Sequence, residues 1–217
     1  MLNMNFAERV VIDTEQLAWQ QSPMPGVLRK PLSRGGEESG HATSLVQYAA
    51  GSFFKVHSHP HGEEILVLDG IFSDESGDYG PGSYLRNPPG SQHQPFSQKG
   101  CTLFVKLAQF QNADLATVRI DTNNAQWRPG HGGLSVMPLH SFETEHTALV
   151  RWPAGEVFLP HRHYGGEEIL VLSGTFSDEY GDYSARHWLR NPHLSQHTPF
   201  VREETVILVK TGHLLQD

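Results

Sequence analysis

The sequence is poor in cysteine, in basic side chains and in long apolar runs. Cys101 is the single cysteine among 217 residues, which excludes an intrachain disulfide and any Cys-x-x-Cys zinc or redox motif. Lys and Arg number 16 against 24 Asp and Glu, and the net charge of -8 disfavours a nucleic-acid surface, which needs clustered cations. No apolar run approaches the roughly 20 residues that span a bilayer, and no signal peptide is evident. We therefore expect a cytoplasmic protein with no direct nucleic-acid partner and no membrane.

Glycine and proline are plentiful, and they separate short runs of strand-forming residues. The chain has 21 Gly and 14 Pro. The runs with strand character in the first half are 44–49, 53–59, 63–68, 70–74, 83–87 and 102–108. Runs with helical periodicity are scarce, so the pattern predicts an all-β sandwich or small barrel.

The chain is an internal duplication. From Thr43 onward the pattern recurs 104 positions later, and between 57 and 96 about two-thirds of the positions are identical without a gap. At Asp13 and Asp121 the shift is 108 instead, so the first copy has about four extra residues, most economically placed in the 33–42 loop. Self-similarity at this level indicates two copies of one folding unit, and we predict domains at 1–112 and 113–217.

Each copy carries a group of residues typical of a metal site. The candidates are His57, His59, Glu63 and His93 in the first copy, and His161, His163, Glu167 and His197 in the second. Alternate side chains of a strand share a face, so both histidines of each His-x-His point to the same side. Three imidazoles and one carboxylate suit Zn, Fe, Mn, Ni or Cu, and the residue types alone do not choose among these metals.

The spacing of these residues resembles that of a known family. The first copy reads Gly51-x5-His57-x-His59-x3-Glu63-x6-Gly70 and then Gly82-x5-Pro88-x-Gly90-x2-His93, which is similar to the two cupin motifs. The shared GEEILVLxGxFSDExGDY, LRNP and SQHxPF are similar in particular to the ChrR-like cupins. In the second copy Arg186 and Leu194 stand where the second motif has glycines, so a remodelled turn is expected there.

The resemblance implies a tandem bicupin, that is, two jelly-roll barrels that each hold one divalent metal by three His and one Glu. Carried over by position, the ligands are the eight candidates, and the expected metal is zinc, with iron, nickel and manganese as alternatives. Glu64 and Glu168 are rivals for the acidic ligand. Strand alternation points them the opposite way from Glu63 and Glu167, and the spacing of the ChrR-like pattern selects the first Glu of each pair.

Two further groups of polar residues have alternative interpretations. The acidic segments 72–79 and 176–183 suggest either a second cation site or a hairpin, and their Gly-Asp step favours the hairpin. Arg86 and Arg190 could clamp a substrate carboxylate or pair with acidic residues of these segments, and we favour pairing. No separate general base can be identified, so no catalytic residue is assigned.

Three classes of function are compatible with these features. The ChrR resemblance implies a regulatory or sensory module, related to an anti-sigma factor and connected with transcription regulation and the response to oxidative stress. The chain lacks the Cys-x-x-Cys zinc domain of ChrR, which argues against direct sigma-factor binding. The alternatives are a metal-dependent dioxygenase acting on diketones or aromatic ketones, and a duplication in which the metal only stabilises the fold. We expect a small-molecule ligand or oxygen species at the metal, and leave open a protein partner and a homodimer.

Overall fold

A computed structural model describes residues 1–36 and 40–214, and these residues form an almost entirely β structure. The strands of the first part of the chain are β1 (Val10–Asp13), β2 (Gln20–Gln21), β3 (Val27–Arg34), β4 (Ala42–Tyr48), β5 (Ser52–Phe53), β6 (His57–His59), β7 (Glu63–Gly70), β8 (Phe72–Asp74), β9 (Gly77–Tyr79), β10 (Ser83–Asn87), β11 (Ser91–His93), β12 (Phe96–Ser97), β13 (Cys101–Leu107) and β14 (Val118–Asp121). The strands that follow are β15 (Arg128–Pro129), β16 (Ser135–Phe142), β17 (Glu145–Trp152), β18 (His161–Arg162), β19 (Glu167–Ser173), β20 (Thr175–Asp178), β21 (Gly181–Ser184), β22 (His187–Asn191), β23 (Gln196–His197), β24 (Phe200–Val201) and β25 (Thr205–Thr211).

The helical content of the described residues is one short 3-10 helix, Thr14–Gln16. The predicted all-β class is therefore confirmed. Within the described part of the chain, no helix has the length and apolar character needed to cross a membrane.

Each of two compact units contains one large sheet and smaller sheets. In the first unit the large sheet has the order β14-β10-β7-β13-β4-β3-β2, and the smaller ones are β5-β12-β8-β9 and β11-β6. In the second unit the large sheet has the order β1-β22-β19-β25-β17-β16-β15, and the smaller ones are β21-β20-β24 and β18-β23. The strand order is equivalent in the two units, as the duplication predicts.

The compact units differ from the contiguous halves 1–112 and 113–217 in two short edge strands. β1, near the start of the chain, belongs to the second unit, and β14, which follows residue 112, belongs to the first. The first unit comprises Met1–Met4 and Ala18–Ala125, while the second comprises Asn5–Leu17 and the residues from Gln126 onward. Thus β1 pairs with β22, and β14 pairs with β10. Both pairs have the same register, since Asp13 and Asp121 occupy equivalent positions at the end of each strand.

The connections between strands also follow the sequence pattern. The acidic segments form the hairpins β8–β9 and β20–β21, as predicted, but the turns lie at Glu75-Ser76 and Glu179-Tyr180, and each Gly-Asp step begins the second strand of its hairpin. The connection from Arg34 to Ala42 is longer than the one from Phe142 to Glu145, which agrees with extra residues in the 33–42 loop of the first copy. Positions 37–39 of that loop lie outside the described residues.

The interior of each barrel is filled by alternate residues of the large sheet and by aromatic rings from the smaller one. Buried core residues of the first unit are Val27, Tyr48, Ile65, Val67, Phe72, Leu85, Cys101, Leu103 and Val105. Those of the second unit are Leu134, Trp152, Ile169, Val171, Phe176, Tyr183, Leu189, Val201 and Ile207. Apolar burial of this kind is the main stabilising term of the fold, and it provides rigid strands on which polar side chains can be positioned.

The second copy keeps its turns although two of their glycines are replaced. Arg186 has φ 73° and Leu194 has φ 61°, the left-handed conformation that Gly82 and Gly90 adopt in the first copy. The Leu194 N–H donates to the carbonyl of His163 at 2.9 Å, as the equivalent glycine N–H does in the first copy. The expected remodelling is therefore wrong, because the turn hydrogen bonds hold both residues in the strained conformation.

Leu194→Gly should raise the free energy of unfolding by about 0.5–1 kcal/mol. A left-handed residue with a Cβ costs roughly 1–2 kcal/mol, and this gain is partly offset by the greater flexibility of glycine in the unfolded chain. Leu194 is 50% exposed, so the substitution removes little apolar burial. Chemical denaturation of the two proteins would measure the difference.

Gly90→Ala provides the matched reverse variant. A Cβ at Gly90 would meet no atom within 4 Å, so the variant tests the conformation without a steric clash. It should lower the free energy of unfolding by about 1 kcal/mol. Unchanged stability in both variants would show that the left-handed turn is not strained.

Candidate metal centres

In the first barrel, three histidines and one glutamate from separate strands face one another. β6 pairs with β11 so that His57 lies opposite His93, and Glu63 is the first residue of β7. The Nε2 atoms of His59 and His93 are 2.9 Å apart. Glu63 Oε2 lies 3.4 Å from His59 Nε2 and 3.5 Å from His93 Nε2. The ring centroid of His57 is 4.7 Å from that of His59. We call these four residues the first cluster.

The second barrel repeats this arrangement. β18 pairs with β23 so that His161 lies opposite His197. The Nε2 atoms of His163 and His197 are 2.9 Å apart. Glu167 Oε2 lies 3.5 Å from His163 Nε2 and 3.7 Å from His197 Nε2, and the ring centroid of His161 is 4.5 Å from that of His163. We call these residues the second cluster. The structure thus brings together all eight residues that the sequence singles out, four in each barrel.

Backbone carbonyls fix the tautomers of His57 and His161. The carbonyl of Lys55 lies 2.9 Å from His57 Nδ1, and the carbonyl of Leu159 lies 3.0 Å from His161 Nδ1. A carbonyl oxygen only accepts, so both Nδ1 atoms carry the proton and the Nε2 lone pairs face inward.

These donor atoms fit a single divalent metal ion in each cluster. Lone pairs on nitrogens 2.9 Å apart repel unless a proton or a metal ion lies between them. Two ligands at about 2.1 Å from one ion lie roughly 3–3.4 Å apart, close to the separations within each cluster. In each barrel the ligand atoms of the three histidines all lie within 4.8 Å of one another. Both clusters therefore have the geometry and the donor chemistry of a divalent-metal site.

The pKa values of His59 and His93 in the first cluster are shifted in opposite directions. Burial lowers the pKa of His59, which favours the neutral form that binds a metal. Burial also opposes the charged form of His93, but Asp74 and Glu63 together raise its pKa. Asp74 Oδ2 lies 3.7 Å from His93 Nδ1. Although burial works in the opposite sense, His93 and the backbone N–H of Ser76 hold the pKa of Asp74 below its ordinary value.

The second cluster has the same electrostatic organisation. Burial lowers the pKa of His163. Asp178 Oδ2 lies 3.4 Å from His197 Nδ1 and, against the effect of burial, raises the pKa of His197. Asp74 and Asp178 thus orient the last histidine of each cluster, in the manner of carboxylates behind metal-binding histidines. From the sequence, Asp74 and Asp178 were expected in hairpins and as partners of Arg86 and Arg190, and their position three residues before Gly-Asp gave no sign of the contact with a histidine.

An asparagine and an arginine support the glutamate of the first cluster. Asn87 Nδ2 donates to Glu63 Oε2 at 2.9 Å, and the side-chain oxygen of Asn87 accepts from Arg119 Nη2 at 2.6 Å. Arg119 belongs to β14, the edge strand that follows residue 112 and pairs with β10 of the first unit. Its guanidinium also donates to the carbonyl of Arg86 at 2.9 Å.

The corresponding support in the second cluster comes from the amino-terminal segment. Asn191 Nδ2 donates to Glu167 Oε2 at 3.0 Å, and its oxygen accepts from Arg9 Nε at 3.0 Å. Arg9 Nη2 also donates to Asp178 Oδ2 at 3.2 Å and to the Tyr183 hydroxyl at 2.7 Å. Arg9 therefore contacts the supports of both Glu167 and His197. The duplication gives no sign of Arg9 and Arg119, because Arg9 precedes β1 whereas Arg119 is the second residue of β14.

The amino-acid sequence of each barrel matches the model of a known protein family. The model of the ChrR cupin-like domain matches residues 7–111 and again residues 115–215. This chain belongs to the ChrR cupin-like family. Each match contains one complete cluster, and the predicted tandem cupin arrangement is confirmed. A comparison with curated proteins found no match.

Solved structures show the same cupin architecture over nearly the whole chain. A putative dioxygenase from Nostoc punctiforme is 15% identical with a TM-score of 0.79, and the match covers 97% of this chain and 85% of that one. A putative glyoxylate-induced protein from Pseudomonas aeruginosa is 14% identical with a TM-score of 0.75, covering 100% and 92%. Oxalate decarboxylase from Bacillus subtilis, which has Mn(II) centres, is 12% identical with a TM-score of 0.64, covering 95% and 78%. At these identities the likeness shows the fold alone, and the predicted jelly-roll barrels are confirmed.

The second glutamate of each pair lies on the opposite face of its strand from the cupin cluster. Arg86 Nη1 donates to Glu64 Oε2 at 3.1 Å, and Arg86 Nη2 donates to Asp114 Oδ2 at 2.5 Å. The prediction that Arg86 pairs with the acidic segment 72–79 is therefore wrong, because its side chain leaves β10 on the face away from that segment. In the second barrel, Glu168 Oε2 lies 3.4 Å from His213 Nε2.

The first cupin barrel contains a cavity of about 450 Å³ that reaches its cluster. His57, His59 and Glu63 form part of the wall, while apolar side chains form much of the rest. Those apolar residues include Met24, Val27, Val46, Phe54, Ile65, Leu103, Val105 and Leu107. Of the two histidines in the cavity wall, His57 is less buried than His59. A small molecule in this space could contact whatever ion the first cluster holds.

Proposed function

We propose that this bicupin binds one divalent metal in each barrel and uses the first metal to bind a small ligand in a regulatory role. The metal would be held by the first and second clusters, with Glu63 and Glu167 as the acidic ligands. Three neutral imidazoles and one carboxylate leave a bound dication with net positive charge, which attracts an anion or polarises a ligand oxygen. Zinc is the metal that we expect, with iron, nickel and manganese as alternatives.

The observation that carries this proposal is the cavity beside the first cluster. A metal that only stabilised the fold would need no such space, because structural sites are closed by their protein ligands. The cavity volume of about 450 Å³ lies within the range of small-molecule sites, and its wall combines apolar side chains with a few polar ones. The family membership adds the expectation of a regulatory role, in which ligand binding or oxidation at the metal would alter a protein partner.

A metal-dependent dioxygenase is the second candidate. The same cavity favours it, since a ketone substrate and oxygen could both reach the first cluster through this space. The similarity to a putative dioxygenase concerns the fold and does not extend to the substrate. The regulatory role and the enzymatic role therefore differ in one measurable property, which is turnover.

Metal analysis followed by an oxygen-uptake assay tests the proposal. We expect two metal equivalents per chain, mainly zinc, and no oxygen consumption with a panel of diketones and aromatic ketones. Iron together with substrate-dependent oxygen uptake would replace the regulatory proposal by the dioxygenase. Absence of any bound metal after incubation with zinc, iron, nickel and manganese would refute both.

A further inference from the structure

β4 presents a tyrosine hydroxyl to the cavity of the first barrel. Alternate residues of this strand line the cavity, namely Ala42, Ser44, Val46 and Tyr48. Tyr48 is only 6% exposed, yet its hydroxyl forms no hydrogen bond with any residue that the structure describes. A buried tyrosine hydroxyl usually has a partner, and this one lies at the far end of a rigid ring, beyond the reach of its own backbone. Its partner is therefore expected inside the cavity.

Two phenylalanines hold the Tyr48 ring close to the first cluster. The ring centroid of Tyr48 is 5.7 Å from that of Phe54 and 6.1 Å from that of Phe72. The ring centroid of Phe54 is 5.6 Å from that of His57, and the ring centroid of Phe72 is 6.3 Å from that of His93. These are the separations of packed aromatic pairs, so Tyr48 is fixed in the wall one ring away from two candidate metal ligands.

The surroundings of Tyr48 keep its hydroxyl protonated. Burial raises the pKa of Tyr48 well above its ordinary value, and the negative charge of Glu63 acts in the same direction. Glu63 lines the same cavity, so the hydroxyl and the acidic residue of the first cluster face one space. A protonated hydroxyl donates a hydrogen bond. A ligand that pairs with it must therefore carry an acceptor, such as a carbonyl or ether oxygen.

The second barrel has a different residue at this position. Trp152 stands 104 positions after Tyr48, and its ring centroid lies 5.8 Å from that of Phe158 and 5.6 Å from that of Phe176. The larger indole thus occupies the equivalent place between two phenylalanines. Its Nε1 is enclosed and has no hydrogen-bond partner among the described residues. The second barrel therefore has no tyrosine hydroxyl to offer a ligand at this position.

We propose that Tyr48 determines the ligand specificity of the first barrel, where its hydroxyl donates to an oxygen acceptor of a small, largely apolar molecule in the cavity. The apolar residues of the wall contact the body of this molecule. A hydrocarbon of the same shape would desolvate the hydroxyl without giving it a partner, and a buried donor left in that state is unfavourable. The inference deepens the proposed function, on which it rests for the metal beside the ligand.

Two pairs of probes test the ligand class by NMR titration of the metal-loaded protein. The pairs are cyclohexanone with methylenecyclohexane, and acetophenone with α-methylstyrene. Each alkene has the shape of its ketone but lacks the oxygen. We expect each ketone to bind about 3- to 10-fold more tightly than its alkene, the usual effect of one neutral hydrogen bond. Equal affinity within both pairs, or no binding of either ketone, would overturn the proposal.

Tyr48→Phe tests the residue, because it removes the hydroxyl and keeps the ring. The affinity for both ketones should fall about 3- to 10-fold, whereas the alkenes should bind as tightly as before or more tightly. Tyr84→Phe is the matched control, since Tyr84 is a buried tyrosine of the same barrel whose hydroxyl donates to Glu64 at 2.9 Å, on the face away from the cluster. It should leave all four affinities unchanged. A ketone preference that survives in full in Tyr48→Phe, or an equal loss in both variants, would overturn the proposal.

The stability of the two ligand-free variants gives a readout that is independent of the probes. Tyr48→Phe should not lower the midpoint of chemical denaturation, because no hydrogen bond within the protein is lost. Tyr84→Phe should lower it, because the buried carboxylate of Glu64 loses a donor. An equal fall in both variants would show that the Tyr48 hydroxyl has a structural partner, and the proposal would fail.

Titrations in the His59→Ala background, in which the first metal site is disabled, separate this inference from the metal proposal. A ketone preference that is still reduced by Tyr48→Phe supports the hydroxyl site even if no metal is found. Ketone binding that disappears with His59, but falls with Tyr48→Phe in the metal-loaded protein, supports a ligand held by both groups. A ketone preference that Tyr48→Phe leaves unchanged in both backgrounds would overturn the inference while the metal proposal stands.

Discussion

His59→Ala should leave the protein with one metal equivalent per chain in place of two. His59 Nε2 faces both His93 and Glu63 at 2.9 and 3.4 Å, so its loss removes a central donor from the first cluster. The second cluster lies in another barrel with its own sheets, and we expect it to keep its metal. Elemental analysis of the purified protein after dialysis against a weak chelator measures the change.

The reciprocal variant His163→Ala should remove the other equivalent. His146→Ala is the control, because His146 is an exposed histidine that bonds to Ser141 Oγ at 3.0 Å and belongs to neither cluster. It should retain two equivalents. Loss of both metals from either single variant would contradict two independent sites.

Arg9→Gln should lower the metal affinity of the second cluster about 10- to 100-fold, the usual effect of removing a residue that orients metal ligands. Arg9 donates to Asn191, which holds Glu167, and to Asp178, which lies behind His197. Without the Arg9 guanidinium, the carboxylate of Glu167 and the imidazole of His197 are held less firmly in their orientation. Metal titration in the His59→Ala background reports the second cluster alone.

Arg119→Gln is the matched variant for the first cluster, where Arg119 donates to Asn87. Titrated in the His163→Ala background, it should weaken the first site, whereas Arg9→Gln should leave that site unchanged. Similar effects of either variant on both sites would show general destabilisation in place of local positioning. Unchanged affinity in both would mean that the asparagines hold the glutamates unaided.

The duplication and the candidate ligands could be predicted because they depend on local properties of the chain. The spacing of His57 and His59 places both on one face of a strand, and the copy 104 residues later repeats the same chemistry. Alternation places Glu63 and Glu64 on opposite faces, the resemblance to the ChrR-like pattern selects Glu63, and the structure turns Glu64 to Arg86. Residue type, strand period and the family resemblance were sufficient for these steps.

The strain and the partners of single side chains were less predictable. Arg186 and Leu194 stand where the first copy has glycine, so a different turn was expected in the second copy. The structure shows the same turn, because the same hydrogen bonds hold Arg186 and Leu194 at positive φ. Arg86 was expected to pair with the acidic segment 72–79, and the structure pairs it with Asp114 and Glu64. In both cases contacts distant in sequence outweigh the local preference.

By itself the sequence determined that this protein is a duplicated β chain with three histidines and a glutamate in each copy. Only the tertiary structure decided that β1 joins the second barrel and β14 the first, and hence that Arg9 and Arg119 support the two clusters. Both strands end in Ile-Asp and pair in the same register, so local propensity is equal for either barrel. The choice depends on which sheet edge the rest of the chain leaves open, and that is a property of the whole fold.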